Sequence, residues 1–274
     1  MEIICPVCGE VLFQEGNSYC CSNNHRFDLS RKGALNLLLS SGKGKHHGDD
    51  KLMVRSRSYF LEKGYYDRLS EQVCDLLIEN LPHSSFIIDA GCGEGKYTVD
   101  IFNSALACGK DVEILGIDIS KDAVSALRSR SREIFGIVSS VAKIPVKDKS
   151  ADAIVNIFSP LVPDEFERVL KDDGVLLRVV PRENHLIELK QVVYDTPYLN
   201  PPETGDIKGF IVKEKRELDY RVIMSTNEDI VNLFQMTPYY YKTGRKDQQK
   251  LAGVSNLHVT FSFAVFLYGK EQGS

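Results

Sequence analysis

The sequence predicts an α/β fold, a doubly wound sheet that follows a small N-terminal metal-binding unit, and three observations predict it. Between Phe86 and Tyr97, FIIDAGCGEGKY, an apolar run reaches Asp89 before Gly91, Gly93 and Gly95 alternate with Cys92 and Glu94. That order reads as a strand, a tight turn and a helix start. From Ser84 to about Pro181, short apolar runs alternate with stretches of helical periodicity, as in a parallel sheet with helices on both faces. Ahead of both, Cys5, Cys8, Cys21 and His25 stand at ligand-like spacing.

The first unit is taken as residues 1–38. Its C-x2-C-x12-C-x3-H array supplies three thiolates and one imidazole, a complete tetrahedral set for one structural zinc ion with no position open to water. Cys20 is an alternative ligand, because its spacing to His25 also fits. Neighbouring strand residues point to opposite faces, so only one of the pair reaches the ion, and Cys21 is the expected one. Gly9 and the pair Gly16-Asn17 suit a knuckle and a hairpin turn. So short a segment cannot bury a stable core alone, which makes the ion a stabiliser and not a reagent.

Residues 39–83 read as a basic linker and helices. From Arg26 to Arg57 there are eight basic residues (Arg26, Arg31, Lys32, Lys43, Lys45, Lys51, Arg55, Arg57) against the acids Asp28, Asp49 and Asp50, a sign opposite to the formal net charge of −4 of the whole chain. The stretch Ser40 to Gly48 lacks apolar side chains and fits a cationic linker, either tracking phosphates or simply solvated. Helical periodicity then covers Asp49–Lys63 and Tyr66–Leu81. In the second, Leu69, Val73, Leu76, Leu77 and Leu81 lie on one face, expected against the sheet. Between them, Tyr65 and Tyr66 read first as core aromatics.

From residue 84 to 274 the sequence reads as one catalytic domain. Dinucleotide loops use G-x-G-x-x-G, whereas this turn is G-x-G-x-G with an acid before it. A carboxylate at Asp89 repels phosphate and suits a cation, such as the amino group of S-adenosylmethionine. A second acid, Asp118, ends the apolar run of ILGIDIS, where it can grip ribose hydroxyls. Lys121–Phe135 is expected as a helix, Gly136–Ala142 as the third strand and its exit, and the run from Asp152 as the fourth strand. Asp164–Leu170 is expected as a helix, Lys171–Gly174 as a turn, and Val175–Val180 as the fifth strand. Beyond an irregular Pro181–Pro202, strands are expected at Leu218–Met224 and Leu257–Tyr268, with a helix at Asn227–Met236 between them. Tyr239, Tyr240 and Tyr241 stand beside Lys242, Arg245 and Lys246, either to stack on nucleic acid or as an amphipathic rim.

D-x-G-C-G-x-G with the second acid resembles the class I methyltransferases, a Rossmann-like fold. More of the chain resembles one branch, the RlmA family of 23S ribosomal RNA guanine-N1 methyltransferases: CPVC, SYCC-x3-HRFD, the G-x-x-NLL of Gly33–Leu38, the R-x-x-FLEKGYY of Arg57–Tyr66, DAGCGEGKYT, and the QMTP of Gln235–Pro238. The resemblance implies zinc on Cys5, Cys8, Cys21 and His25. It implies S-adenosylmethionine held by Tyr66, Asp89, Gly91, Gly93, Glu94, Gly95, Lys96, Tyr97, Asp118 and His185, with Ser140, Val141 and Ala142 near the adenine. It also implies a guanine in a domain II hairpin of 23S ribosomal RNA as acceptor, and one branch of the family is linked to macrolide resistance. The RNA is expected to meet the zinc unit and the basic linker, and a homodimer is left open.

Guanine N1 is protonated at neutral pH, so transfer needs a base or donors that stabilise charge on O6. Asn156, Phe158 and Ser159 are the candidates at the reacting face, and none is a ready proton acceptor. The alternative is a small-molecule methyltransferase whose zinc unit serves only for docking. No apolar run is long enough for a bilayer, and the first residues lack a signal peptide, so a soluble cytoplasmic protein without membrane contact is expected. Seven cysteines then favour metal ligation or free thiols over disulfides.

Overall fold

The structure, a computed structural model, describes residues 1–39 and 48–271. Of the expected cationic linker, Ser40 to Gly48, residues 40–47 lie outside the described residues. At the N-terminus β1 (Phe13–Glu15), β2 (Ser18–Cys20) and β3 (Arg26–Asp28) form an antiparallel three-stranded sheet. The β1–β2 turn falls at Gly16, whose φ of +62° a side chain would resist.

The N-terminal unit does not stop at its own sheet. Its β4 (Leu35–Asn36) pairs in parallel with β7 (Phe135–Val138), and Ile3 bridges Val146. Leu35 and Leu37 are buried in the same cluster as Ile117 and Ile137 of the large sheet. Two residues of strand give no period to read, so sequence alone does not show this graft.

The large sheet has eight strands in the order β10-β11-β9-β8-β5-β6-β7-β4. The remaining strands are β5 (Ser84–Ala90), β6 (Asp111–Asp118), β8 (Ala151–Ile157), β9 (Leu170–Pro181), β10 (Phe210–Met224) and β11 (Leu257–Lys270). All neighbouring pairs from β4 to β9 are parallel, and β11 runs antiparallel to both of its neighbours. Helices α1 (Lys51–Glu62), α2 (Asp67–Glu79), α3 (Lys96–Ala107), α6 (Ile187–Val193) and α7 (Asn227–Gln235) cover one face. The N-terminal unit and α5 (Pro163–Val169) cover the other, and α4 (Lys121–Arg130) packs beside β6 and β7. As expected, Leu69, Val73, Leu76 and Leu77 of α2 are fully buried.

Several expectations change. Helix α6 falls inside the segment expected as irregular, and the helix expected to reach Phe135 ends at Arg130, with Phe135 opening β7. Lys171–Gly174 is not a turn between elements but an insertion within β9: Ala151 pairs with Leu170 and Ala153 with Val175, so the four residues bulge opposite Asp152. The strand expected at Leu218–Met224 begins at Phe210. Its first half, FIVKEKRE, carries charges on both faces because β10 is an edge strand largely open to water, and charge there discourages pairing with another chain.

Candidate functional site

The ligand atoms of Cys5, Cys8, Cys21 and His25 lie within 4.8 Å of one another. Zn–S bonds of about 2.3 Å and Zn–N bonds of about 2.0 Å give tetrahedral edges of roughly 3.5–3.8 Å. The structure has Cys8 Sγ to Cys21 Sγ at 3.6 Å, Cys5 Sγ to His25 Nδ1 at 3.6 Å and Cys21 Sγ to His25 Nδ1 at 3.4 Å. The donor set therefore fits one zinc ion. Local turns build it: Gly9 N donates to Cys5 O, and Asn24, at φ +60°, folds His25 back over Cys21. Cys20 turns the other way, its Sγ 3.5 Å from Glu15 Oε2, which decides between the two cysteines.

A cavity of about 810 Å³ opens at the carboxyl ends of the parallel strands, the usual ligand site of such sheets. Tyr66, Asp89, Gly91, Gly93, Glu94, Lys96, Tyr97, Asp118, Ala142, Phe158, Ser159 and His185 all line it. Gly95 and Asn156 stand behind its wall.

The glycine turn is sterically obligatory. Gly91, Gly93 and Gly95 have φ of +96°, +54° and +92°, and a Cβ on Gly95 would sit 2.4 Å from Leu127 Cδ1 and 3.0 Å from its Cα. Gly95→Ala is therefore expected to cost about 2 kcal/mol through strain and overpacking, read as a lower urea midpoint.

Asp89 is buried, and its carboxylate accepts from Thr98 Oγ1 at 2.6 Å. Burial pushes its carboxyl up to about 7, against the Thr98 hydrogen bond and with the help of Asp118. No cationic side chain pairs with it among the described residues. An acid held this way is set to receive a cation. Asp118 accepts from Gly93 N at 3.0 Å and Ser120 N at 2.8 Å, which fixes it at the mouth of the turn, and burial raises its carboxyl too. Glu94 instead is committed to structure: it binds Arg130 of α4 and accepts from Lys96 N at 3.1 Å. Lys96 Nζ faces Asp100 at 2.5 Å and Asp67 at 3.5 Å.

Tyr66 and His185 meet inside an aromatic cluster with Phe261 and Phe263. His185 Nδ1 accepts from Ser262 N at 3.3 Å, so the ring proton sits on Nε2, 3.4 Å from Tyr66 Oη. Burial, aided by Lys190, pushes His185 down to about 3 and keeps it neutral. Phe158 holds φ +53° with its ring 45% exposed at the cavity. Such strain concentrates at functional sites.

Asn156, expected at the reacting face, is turned inward and 1% exposed. Its Nδ2 donates to Ser159 Oγ at 2.5 Å and Pro160 O at 3.1 Å, with Ala90 O at 3.4 Å. It braces the Phe158–Pro160 turn and has no hydrogen left for a ligand. Ser159 Oγ donates to Ala90 O, so its hydroxyl hydrogen is likewise committed.

The sequence reading missed a second wall. Lys190 is 1% exposed, with Nζ 2.7 Å from Asn200 Oδ1 and above the rings of Tyr198 and Tyr239. Tyr239 Oη donates to the same Asn200 Oδ1 at 3.1 Å. This network fastens the irregular segment after β9 to the residues beyond α7. Asn200 and Tyr239 of this network line the cavity with Lys190 behind them, and Arg178, 3.2 Å from Glu203, and Arg57 line it too. In the sequence Arg57 stands out only in the basic count and as the first residue of the R-x-x-FLEKGYY motif, and neither tells a cavity arginine from a surface one.

Residues 3–44 match the family described as "RlmA, N-terminal", and residues 83–235 match the family described as "Methyltransferase domain". A Bacillus subtilis (strain 168) protein, YxjB, named for 23S rRNA (guanine-N1)-methyltransferase activity, is 31% identical over 271 residues, covering 96% of this chain and 95% of its own. A Streptomyces fradiae protein named 23S rRNA (guanine(748)-N(1))-methyltransferase is 31% identical over 188 residues, 68% of this chain and 65% of its own. Among solved structures, the YcgJ protein from Bacillus subtilis matches with a TM-score of 0.50 at 14% identity, covering 74% of this chain and 100% of that one, a likeness of fold alone.

Proposed function

Because the chain belongs to the family of 23S rRNA (guanine-N1)-methyltransferases, we propose that it methylates N1 of a guanine in a domain II hairpin loop of that RNA, in the cytoplasm. It is an S-adenosylmethionine-dependent methyltransferase with one zinc site. The observation that carries the substrate reading is the end-to-end match to YxjB, which includes the zinc unit as well as the cofactor domain.

S-adenosylmethionine supplies a methyl group on a cationic sulfur, already activated for attack. The protein's share is to bind, align and exclude water. Asp89 binds the ammonium, Asp118 the ribose hydroxyls, and the residues after β7, ending at Ala142, flank the adenine. Phe158 presents a ring to the acceptor base, held by the Asn156 brace beneath it. A flipped loop guanine can stack there, whereas a paired one cannot reach. His185 does not serve as the base: one nitrogen accepts from Ser262 N and the other carries a proton toward Tyr66. It orients the Tyr66 hydroxyl. The zinc unit and the linker hold the RNA backbone, and residues 1–38, 39–83 and 84–274 divide that work.

The test is to incubate the protein with labelled S-adenosylmethionine and unmodified 23S rRNA, then digest the RNA to nucleosides. Label in 1-methylguanosine supports the reading, and label in any other nucleoside, or none, contradicts it.

A further inference from the structure

The methionine part of the cofactor is a zwitterion, so a site that meets its ammonium with Asp89 also needs a partner for its carboxylate. The turn itself is rich in acid: Asp49, Asp89, Glu94 and Asp118 all border the cavity. Cations are fewer. Lys96 is turned to Asp100 and Asp67, Arg178 is paired with Glu203, and Lys242 stands exposed in the segment after α7. Of the cavity-lining cations among the described residues, Arg57 lies over the glycine turn: its Nη1 is 3.4 Å from where a Cβ on Gly93 would stand.

We propose that Arg57 binds the α-carboxylate of the cofactor, with the Tyr97 hydroxyl as second donor. The inference rests on the cofactor assignment above. Arg57 is held at two points, by Asp49 at Nη1 and by Met236 O, 3.1 Å from Nη2, which fixes the plane of the guanidinium. A guanidinium has five N–H donors, so about three remain for a ligand. It shares the cavity with Tyr66, Tyr97 and Asp118, and its charge opposes the burial that pushes each of them up. Tyr97 Oη is buried, has no hydrogen-bond partner among the described residues, and belongs to a residue lining the same cavity. A buried hydroxyl without a partner is costly unless a ligand supplies one.

Titration calorimetry with three ligands separates this role from general damage. S-adenosylhomocysteine carries both charges, decarboxylated S-adenosylmethionine keeps the amine but lacks the carboxylate, and methylthioadenosine has neither. Arg57→Gln is expected to weaken S-adenosylhomocysteine about 30-fold and the other two by less than about twofold. Tyr97→Phe, a milder change, is expected to weaken only S-adenosylhomocysteine, by about fivefold. Asp89→Asn is expected to weaken both amine-bearing ligands. Equal losses for S-adenosylhomocysteine and the decarboxylated ligand in the Arg57 or Tyr97 variants would overturn the proposal, as would no loss in either variant. Should Arg57→Gln fail to fold, Tyr97→Phe decides by the same criterion. A wild-type protein that binds none of the three overturns the cofactor assignment itself, and the inference with it.

Discussion

Asp89→Asn is expected to abolish useful cofactor binding and, at the same pH, to make the free protein more stable. In the unfolded chain the carboxyl has its ordinary value of 3.8, and in the fold burial raises it to about 7. A group raised on folding contributes stability that is whole below the unfolded value and is lost as pH rises through the folded one. Between about pH 4 and 7 the ligand-free protein therefore loses stability, by an amount on the order of 4 kcal/mol at most. Asparagine keeps the oxygen that accepts from Thr98 and never ionises, so the variant escapes that loss. It also lacks the charge that meets the ammonium, which costs about 3 kcal/mol of binding, roughly 150-fold in affinity. A second consequence concerns pH. In the wild type the ammonium must find Asp89 ionised, so affinity should fall by up to about tenfold for each pH unit below 7, and the slope should vanish in the variant. Calorimetry between pH 5.5 and 8, with thermal unfolding of the ligand-free proteins, reads all three effects. A variant less stable than wild type at pH 8, or a wild-type affinity flat across pH 7, would count against the assignment.

Cys21→Ser is expected to remove methylation of ribosomal RNA by two orders of magnitude or more while cofactor affinity stays within about tenfold of wild type. Apparent binding energies for structural zinc reach about 10–16 kcal/mol, more than so small a unit can replace. The strands β1, β2 and β3 have three residue pairs in each ladder and little core between them. Without zinc they should open, and hydrogen exchange should quicken in the first thirty or so residues. The cofactor cavity begins at Gly48 and uses none of them, which is why its affinity should survive. Leu35 and Leu37 are buried in the large core and should keep their protection. Loss of RNA methylation with intact cofactor binding separates an RNA-presenting zinc unit from a passive one. Turnover that survives the loss of zinc would favour the small-molecule alternative.

What could be read from sequence follows a physical line. The parallel core was legible because its strands are buried on both faces and read as apolar runs, and the glycine turn because only glycine tolerates its backbone. The zinc set was legible because ligand chemistry restricts residue type and spacing together; strand alternation allows only one of Cys20 and Cys21 at the ion, and the structure, not the sequence, shows it is Cys21. Edges were not legible. The first half of β10 carries charge on both faces, and β4 is too short to show a period. Side-chain direction was not legible either: Asn156 sits at the end of β8, where a ligand-facing residue is expected, yet its register turns it toward Ala90 and Pro160. Lys190 reads as a surface lysine in α6, and only the fold brings Asn200 and Tyr239 around it.

The central claim is that a zinc-held head delivers one guanine of ribosomal RNA to a cavity primed for a cationic methyl donor. Methylation at N1 blocks the pairing edge of the base and halts reverse transcriptase. Primer extension on 23S rRNA from a deletion strain, complemented with the wild-type protein or with Asp89→Asn, reads that edge directly. The account predicts a stop one nucleotide before a single domain II hairpin guanine with the wild-type protein only. The same stop in the deletion strain, or in cells carrying Asp89→Asn at full strength, would contradict it.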